Sequence, residues 1–153
     1  MSPTRRLSVL FVCIHNSGRS QMAEAFLKAS GEDQFDVQSA GIEPGVLNPT
    51  VVEVMKEVGI DISQNKTKDV GKFLREGRRF THVITVCDET SAERCPVFPW
   101  PAQRFHWSFE DPAALTGTPE EKKKKTREIR EKIRMRVKEF ADKESEVLTE
   151  KGK

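Results

Sequence analysis

Val12-Cys13-Ile14-His15-Asn16-Ser17-Gly18-Arg19-Ser20 is the stretch on which the fold turns. On its amino-terminal side, Leu7–Val12 is a continuous apolar run of strand length. On its carboxyl-terminal side, residues 20–30 show helical spacing. Met22 and Phe26 fall on one face, with Ala23 and Leu27 beside them, and Gly31 stops the pattern. The residues between Cys13 and Arg19 must therefore curl from a strand end into a helix start. Gly18 is expected to supply the unusual backbone angles of that turn. A strand–turn–helix of this kind can aim successive N–H groups inward as a nest for an anion. The positive end of the helix dipole adds to it, and Arg19 offers a planar fork for an oxyanion. A thiol held there is expected to react as the thiolate. Cys13 is then the nucleophile, the backbone of Ile14, His15, Asn16, Ser17, Gly18 and Arg19 the oxyanion cradle, and Ser20 a hydroxyl that can hydrogen-bond the sulfur.

Outward from this segment the chain alternates strand and helix. Phe35–Ala40 reads as a second strand. Asn48-Pro49 starts a helix, with Asn as cap and Pro in the first position. Val54, Met55 and Val58 give that helix its apolar face, and Gly59 ends it. A short helix is expected around Val70–Glu76, a third strand over Thr81–Val86, a loop over 88–103 and a fourth short strand over Arg104–Trp107. A long helix is expected from Pro119 to about Val147, with Ile129, Ile133, Val137 and Phe140 at helical spacing. The order β-α-β-α-α-β-β-α predicts an α/β fold: one four-stranded, mostly parallel sheet flanked by helices. No internal repeat or Gly/Ser-rich linker divides the chain, so residues 1–153 are read as a single domain with a frayed tail over about 148–153.

Composition excludes several classes. The chain has 153 residues, 26 Lys+Arg against 24 Asp+Glu and a net charge of +2, which argues for no nucleic-acid partner. Residues 119–153 hold 13 Lys+Arg and 9 Asp+Glu, including the run Lys122–Lys125. This is read as a solvated helix face. No apolar stretch approaches the roughly 18 residues of a membrane span. The apolar run after the first arginines is short and lacks a cleavage site, so it is read as a strand and not a signal peptide. The location expected is cytoplasmic, with no membrane association. Three cysteines, an odd number, argue against a structural disulfide framework there. His82 and His106 have no spacing that suggests zinc.

The segment VLFVCIHNSGRSQMAEAFL, with Ser39-Ala40-Gly41 and Asp111-Pro112 further on, resembles the low-molecular-weight tyrosine phosphatases. Within that superfamily the chain is similar to the thioredoxin-coupled arsenate reductases over about residues 7–140. The resemblance implies the phosphatase-like fold, a monomer, and Asp111 as the general acid that protonates a departing oxygen. The residues alone leave Asp111 equally well a loop or capping aspartate. Two features favour the reductase over a phosphatase. The chain has no tyrosine, and Asp111-Pro112 is followed by Ala113-Ala114, where phosphatases of this type carry aromatic residues around the substrate. Cys87, at the end of the third strand, and Cys95, in the loop after it, supply further thiols.

The mechanism implied is a relay. Cys13 attacks arsenate, Cys87 attacks Cys13 as arsenite leaves, and Cys95 attacks Cys87 to give a disulfide that thioredoxin reduces. No cofactor is required. Seven residues separate Cys87 from Cys95, one more than in the best-known relatives. Some members bind potassium beside the loop, and the matching residues here are Asn16, Glu24, Ser39, Thr67 and Asp69, an oxygen-only set suited to a hard cation. Each also has a plain role as loop brace, helix surface or cap. Two other readings stay open: a phosphatase needing only Cys13, Arg19 and Asp111, and an arsenite-sensing module using the three thiols.

Overall fold

The computed structural model describes residues 7–31, 34–86 and 101–151, the last of these (145–151) by backbone only. Its elements are β1 (Leu7–Cys13), α1 (Arg19–Gly31), β2 (Phe35–Gly41), α2 (Pro49–Glu57), α3 (Val70–Arg75), β3 (His82–Thr85), β4 (Gln103–His106) and α4 (Pro119–Lys151), with a 3-10 turn at Pro112–Ala114 before α4. The four strands form one sheet in the order β2-β1-β3-β4, and every pairing is parallel. The element order matches the alternation read from the sequence.

β1 is the centre of the sheet because it can be buried on both faces. Val9, Phe11 and Cys13 point into a core shared with α1, α2 and α4, which contribute Met22, Phe26, Leu27, Val51, Met55, Ile133 and Val137. Leu10 and Val12 point the other way, into a second core with Val70, Phe73, Phe80 and Val83. This period of two, apolar on both sides, makes the run continuous instead of alternating. Each of the larger side chains stabilises the fold by roughly 1.5–3 kcal/mol of burial. Asn48 caps α2 as expected, its Oδ1 accepting from the N–H of Thr50 at 2.9 Å.

α4 is tied down by charge as well as by its apolar stripe. Glu57, at the end of α2, accepts from Arg127 Nη2 at 2.7 Å and Arg130 Nη1 at 2.9 Å, and Arg130 also donates to the Val54 carbonyl at 2.9 Å. α4 begins in a capping turn. Thr118 Oγ1 accepts from Glu121 N at 3.2 Å, and Gly117 takes a φ of +116°, a backbone angle that residues with a β-carbon rarely adopt.

Three sequence expectations change. α4 continues to Lys151, through the stretch expected to fray after Leu148. β3 and β4 are His82–Thr85 and Gln103–His106. Pairing of His82 with Gln103 and Thr85 with His106 sets those limits, and Trp107 instead turns inward, 5% exposed. The Pro112–Ala114 turn is an element absent from the expected order, and in it Asp111 fills the capping role that its sequence left open. Most of the loop expected over 88–103, with Cys87 and Cys95, lies outside the described residues. Among the described residues no helix is long and apolar enough to cross a membrane.

Candidate active site

The chain winds from β1 outward to β2, then returns across β1 to β3 on the other side. At the β1–β3 junction the winding direction reverses, and a crevice opens at the carboxyl ends of the strands. Cys13, the last residue of β1, stands there, 3% exposed.

The loop after Cys13 is held from outside through its carbonyls. Cys13 O accepts from Ile42 N (3.1 Å), Ile14 O from Glu43 N (2.7 Å), His15 O from Gly45 N (2.9 Å), Ser17 O from Asn48 N (2.9 Å) and Gly18 O from Met22 N (2.9 Å). Asn16 O accepts from Gln21 Nε2 at 3.1 Å. In a trans peptide the following N–H points opposite to its C=O, and no peptide bond here is cis. With the carbonyls of Cys13 to Gly18 turned outward, the N–H groups of Ile14 to Arg19 turn inward. Asn16 N illustrates this, donating to Cys13 Sγ at 3.1 Å. The geometry is an anion nest at the start of α1.

The residue with the left-handed backbone is Asn16, at φ 54°, not Gly18. Asparagine tolerates that conformation better than most side chains. A β-carbon at Gly18 would stand 3.4 Å from Val51 Cγ2 and 3.8 Å from Pro112 Cγ, ordinary contact distances, so neither backbone angle nor space demands glycine there. Gly41, of the Ser39-Ala40-Gly41 motif, is more restrictive. A β-carbon there would lie 2.8 Å from Ile14 O and 2.9 Å from Asn16 N.

Cys13 Sγ is 2.8 Å from Ser20 Oγ. Asn16 Nδ2 donates to Ser20 Oγ at 2.8 Å and to Ser39 Oγ at 2.9 Å. Asn16 Oδ1 accepts from Lys68 N at 2.9 Å and Gln21 Nε2 at 3.1 Å, which fixes the amide's orientation. Because Ser20 Oγ already accepts from Asn16, its own proton is free to face the sulfur. Ser39 in turn donates to Glu24 Oε1. Arg19 is 4% exposed. Its Nη1 donates to Phe109 O at 3.0 Å, and its Nη2 lies 3.7 Å from Asp111 Oδ2. Asp111 Oδ1 accepts from Ala113 N at 2.9 Å. Asp111 is thus both the cap of the 3-10 turn and a carboxylate at the rim of the loop, with one oxygen for each task. Ala113 and Ala114 are exposed beside it.

The structure brings together Cys13, Asn16, Arg19, Ser20 and Asp111. His15 sits on the exposed side of the loop, its Nδ1 2.9 Å from Glu43 O. Of the five residues matched to a cation site, Asn16, Ser39 and Glu24 join one hydrogen-bonded chain. Thr67 Oγ1 donates to Gly45 O at 2.6 Å, and Asp69 caps α3 through Gly71 N at 2.8 Å and faces Arg75 at 3.7 Å. His82 and His106 face separate hydroxyls, those of Thr81 and Thr85. Among the described residues no His, Cys, Asp and Glu cluster fit for a metal occurs.

Two residues of the site escaped the sequence reading. Gln21 is fully buried, and besides Asn16 its Nε2 reaches Lys66 O at 3.1 Å. Lys68 holds Asn16 by its N–H and Gly41 N by its carbonyl, at 2.7 Å. Gln21 shares its helix side with Glu24 and Lys28, so in sequence it reads as part of a polar face and gave no local signal. Nothing local marked Lys68 either.

Comparisons with known proteins agree with this geometry. The family model for low molecular weight phosphotyrosine protein phosphatase matches residues 8–152. The arsenate reductase of Bacillus subtilis is 45% identical over 136 residues, covering 88% of this chain and 94% of that protein. The crystal structure of arsenate reductase from Archaeoglobus fulgidus superposes with a TM-score of 0.71 at 32% identity, covering 88% of this chain and 98% of that one. A thioredoxin-dependent arsenate reductase of Corynebacterium glutamicum superposes with a TM-score of 0.66 at 28% identity, over 91% of this chain and 61% of its own. The chain belongs to the low molecular weight phosphotyrosine protein phosphatase family, and the relatives it resembles within that family are arsenate reductases.

Proposed function

We propose that the chain is an arsenate reductase working through a three-thiol relay that thioredoxin regenerates. The observation that carries the reading is the seat of Cys13: a sulfur between Ser20 Oγ and the N–H of Asn16, under a nest of inward amides, with Arg19 at the rim. Such a seat suits a tetrahedral oxyanion. The names of the relatives supply the identity of the oxyanion and, in the Corynebacterium protein, of the reductant.

In this reading the Cys13 thiolate attacks arsenic, and an oxygen leaves as water on taking the Asp111 proton. The Cys87 thiolate then attacks Cys13 Sγ. The electron pair of the sulfur–arsenic bond passes to arsenic, arsenite leaves, and a Cys13–Cys87 disulfide remains. Cys95 attacks Cys87, releasing the Cys13 thiolate, and a dithiol reduces the Cys87–Cys95 disulfide. Supporting the first exchange, Val86 N donates to Val12 O at 2.9 Å, so the residue before Cys87 in sequence lies beside the residue before Cys13. Against a phosphotyrosine substrate stand the exposed Ala113 and Ala114, which offer no aromatic wall.

The test is NADPH consumption by the purified protein with thioredoxin and thioredoxin reductase, with and without arsenate. Arsenate-dependent turnover that disappears in Cys13→Ser, Cys87→Ser and Cys95→Ser is expected. Hydrolysis of an aryl phosphate with no arsenate-dependent turnover would assign a phosphatase instead.

A further inference from the structure

The oxygen set that the family resemblance matches to a potassium site does not fit a free cation in this chain, because ammonium groups already occupy its carboxylate. Glu24 is 4% exposed. Its Oε1 takes Lys68 Nζ at 3.2 Å as well as the Ser39 hydroxyl, and its Oε2 takes Lys28 Nζ at 3.0 Å. Asn16 turns its Nδ2, not its oxygen, toward Ser39. Thr67 and Asp69 are engaged elsewhere, on Gly45 and on the start of α3. A buried carboxylate requires a compensating charge. Here the chain provides it from within.

We propose that the Lys68 ammonium is the built-in cation of this site and that Lys68 is a positioning residue for Cys13. Lys68 is held at three points: its N–H on Asn16 Oδ1 (2.9 Å), its carbonyl on Gly41 N (2.7 Å) and its Nζ on Glu24. From the ammonium, an unbroken chain of polar contacts leads to the sulfur. It runs through Glu24 Oε1, Ser39 Oγ, Asn16 Nδ2 at 2.9 Å, Ser20 Oγ at 2.8 Å and Cys13 Sγ at 2.8 Å. The ammonium holds the Glu24 carboxylate in place, Glu24 fixes the Ser39 hydroxyl, and that hydroxyl with Lys68 N sets the Asn16 amide that presents Ser20 to the Cys13 sulfur. Lys28 cannot substitute. Its ammonium pairs with Oε2 and not with the Oε1 that Ser39 reaches, and its side chain is 47% exposed. The proposal predicts an enzyme indifferent to potassium, in which loss of Lys68 creates a dependence that the native chain lacks.

The effect on turnover rests on the reductase reading above, so the experiment also carries a readout that needs no activity. Thermal unfolding and arsenate reduction are measured in 0–200 mM KCl, with choline chloride keeping ionic strength constant, for the native protein, Lys68→Ser and Lys68→Arg. Expected are a native Tm and kcat/KM that do not respond to potassium. Lys68→Ser should have a lower Tm and a kcat/KM reduced about tenfold in choline, in line with loss of one charged hydrogen bond, both recovering with potassium. Lys68→Arg, which keeps the charge, should behave as native. A native Tm that rises with potassium would overturn the proposal, as would Lys68→Ser matching the native protein in choline. A loss in Lys68→Ser that potassium leaves uncorrected would also overturn it, leaving Lys68 a packing role. Absence of arsenate turnover in the native protein would refute the reductase reading alone, and the Tm series would still decide the role of Lys68.

Discussion

The α-carbon of Gly41 lies so close to the backbone of Ile14 that a methyl group on it would stand 2.8 Å from the Ile14 carbonyl oxygen. β2 ends at this glycine, and the oxyanion loop rests on it. Real β-carbons do not approach backbone at that distance, so Gly41→Ala must push the loop away from the sheet. The expected result is a cost of about 1–3 kcal/mol in stability, typical of overpacking. Arsenate turnover and protection of the protein by phosphate against thermal unfolding should both fall by at least tenfold. A Gly41→Ala protein with native phosphate protection would show that the loop does not depend on this contact.

Ser20 is where the loop meets the Cys13 sulfur. Its hydroxyl accepts from Asn16 and faces Cys13 Sγ at 2.8 Å, so Ser20→Ala removes a donor to the thiolate and leaves Asn16 Nδ2 with one partner. A hydrogen bond to a charged group contributes about 1.5–3 kcal/mol. Ser20→Ala should therefore lower kcat/KM by about 10–100-fold with little change in fold, and circular dichroism would check the latter.

Asp111 divides its two oxygens between Ala113 N and Arg19. Asn at this position keeps the cap through its amide oxygen and abolishes proton donation. Asp111→Asn is expected to lower arsenate turnover by about 10²–10⁴-fold, with Tm within a few degrees of native. Asp111→Ala, which also loses the cap, should drop further in Tm. Equal turnover in Asp111→Asn and the native protein would remove Asp111 from the mechanism and leave it a cap.

These residues differ in how legible they were. Cys13, Arg19 and Ser20 were readable because the motif is local: a strand end, a turn and a helix start within nine residues dictate where each side chain goes. Asp111 was readable as a site residue only through the family resemblance, because the cap it makes with one oxygen on Ala113 N is a role any loop aspartate can fill, and its approach to Arg19 spans 92 residues of sequence. Gln21 and Lys68 were not readable. Lys68 reaches Asn16 and Glu24 across 52 and 44 residues of sequence, and no periodicity encodes such a pairing. The assignment of the unusual backbone to Gly18 failed for a related reason. Glycine is the default for a left-handed angle, but the pairing of Asn16 with Ser20, Ser39, Gln21 and Lys68 holds an asparagine there. The limits of β4 depended on register with β3, which a four-residue exposed strand does not specify by itself.

Glu57 links α2 to α4. The hydrogen bond from Arg127 and the nearby Arg130 hold its carboxyl at a pKa of about 2, below the usual value of 4.5. A carboxylate depressed in the folded state contributes stability that is present above the unfolded-state pKa and disappears as pH falls toward the folded one. Glu57→Gln should therefore lower Tm at pH 7, and the difference from the native protein should shrink between pH 5 and pH 2. A gap independent of pH over that window would mean that the pairing with Arg127 and Arg130 contributes through packing and not through charge.

His82 gives the opposite kind of group the same sign. It is 2% exposed, stacked at 6.1 Å on Phe105 and edge-on to Phe140 at 5.5 Å, with Nδ1 on Thr81 Oγ1 at 2.8 Å. Burial pushes its pKa below the ordinary 6.5, against the attraction of Glu144, whose Oε2 lies 3.6 Å from His82 Nε2. An imidazole whose folded pKa is lowered is neutral in the fold, while the unfolded chain gains a proton below about pH 6.5. Stability is complete above that pH and declines as pH falls through 6.5 toward the folded value. His82→Gln keeps a group able to reach Thr81 and does not titrate. Its Tm should be lower than native at pH 8, through lost ring packing among Phe105 and Phe140, and flatter between pH 7 and pH 5.5. If the native protein instead gains stability as pH falls through this window, the Glu144 attraction outweighs burial, and His82 is folded in as the imidazolium.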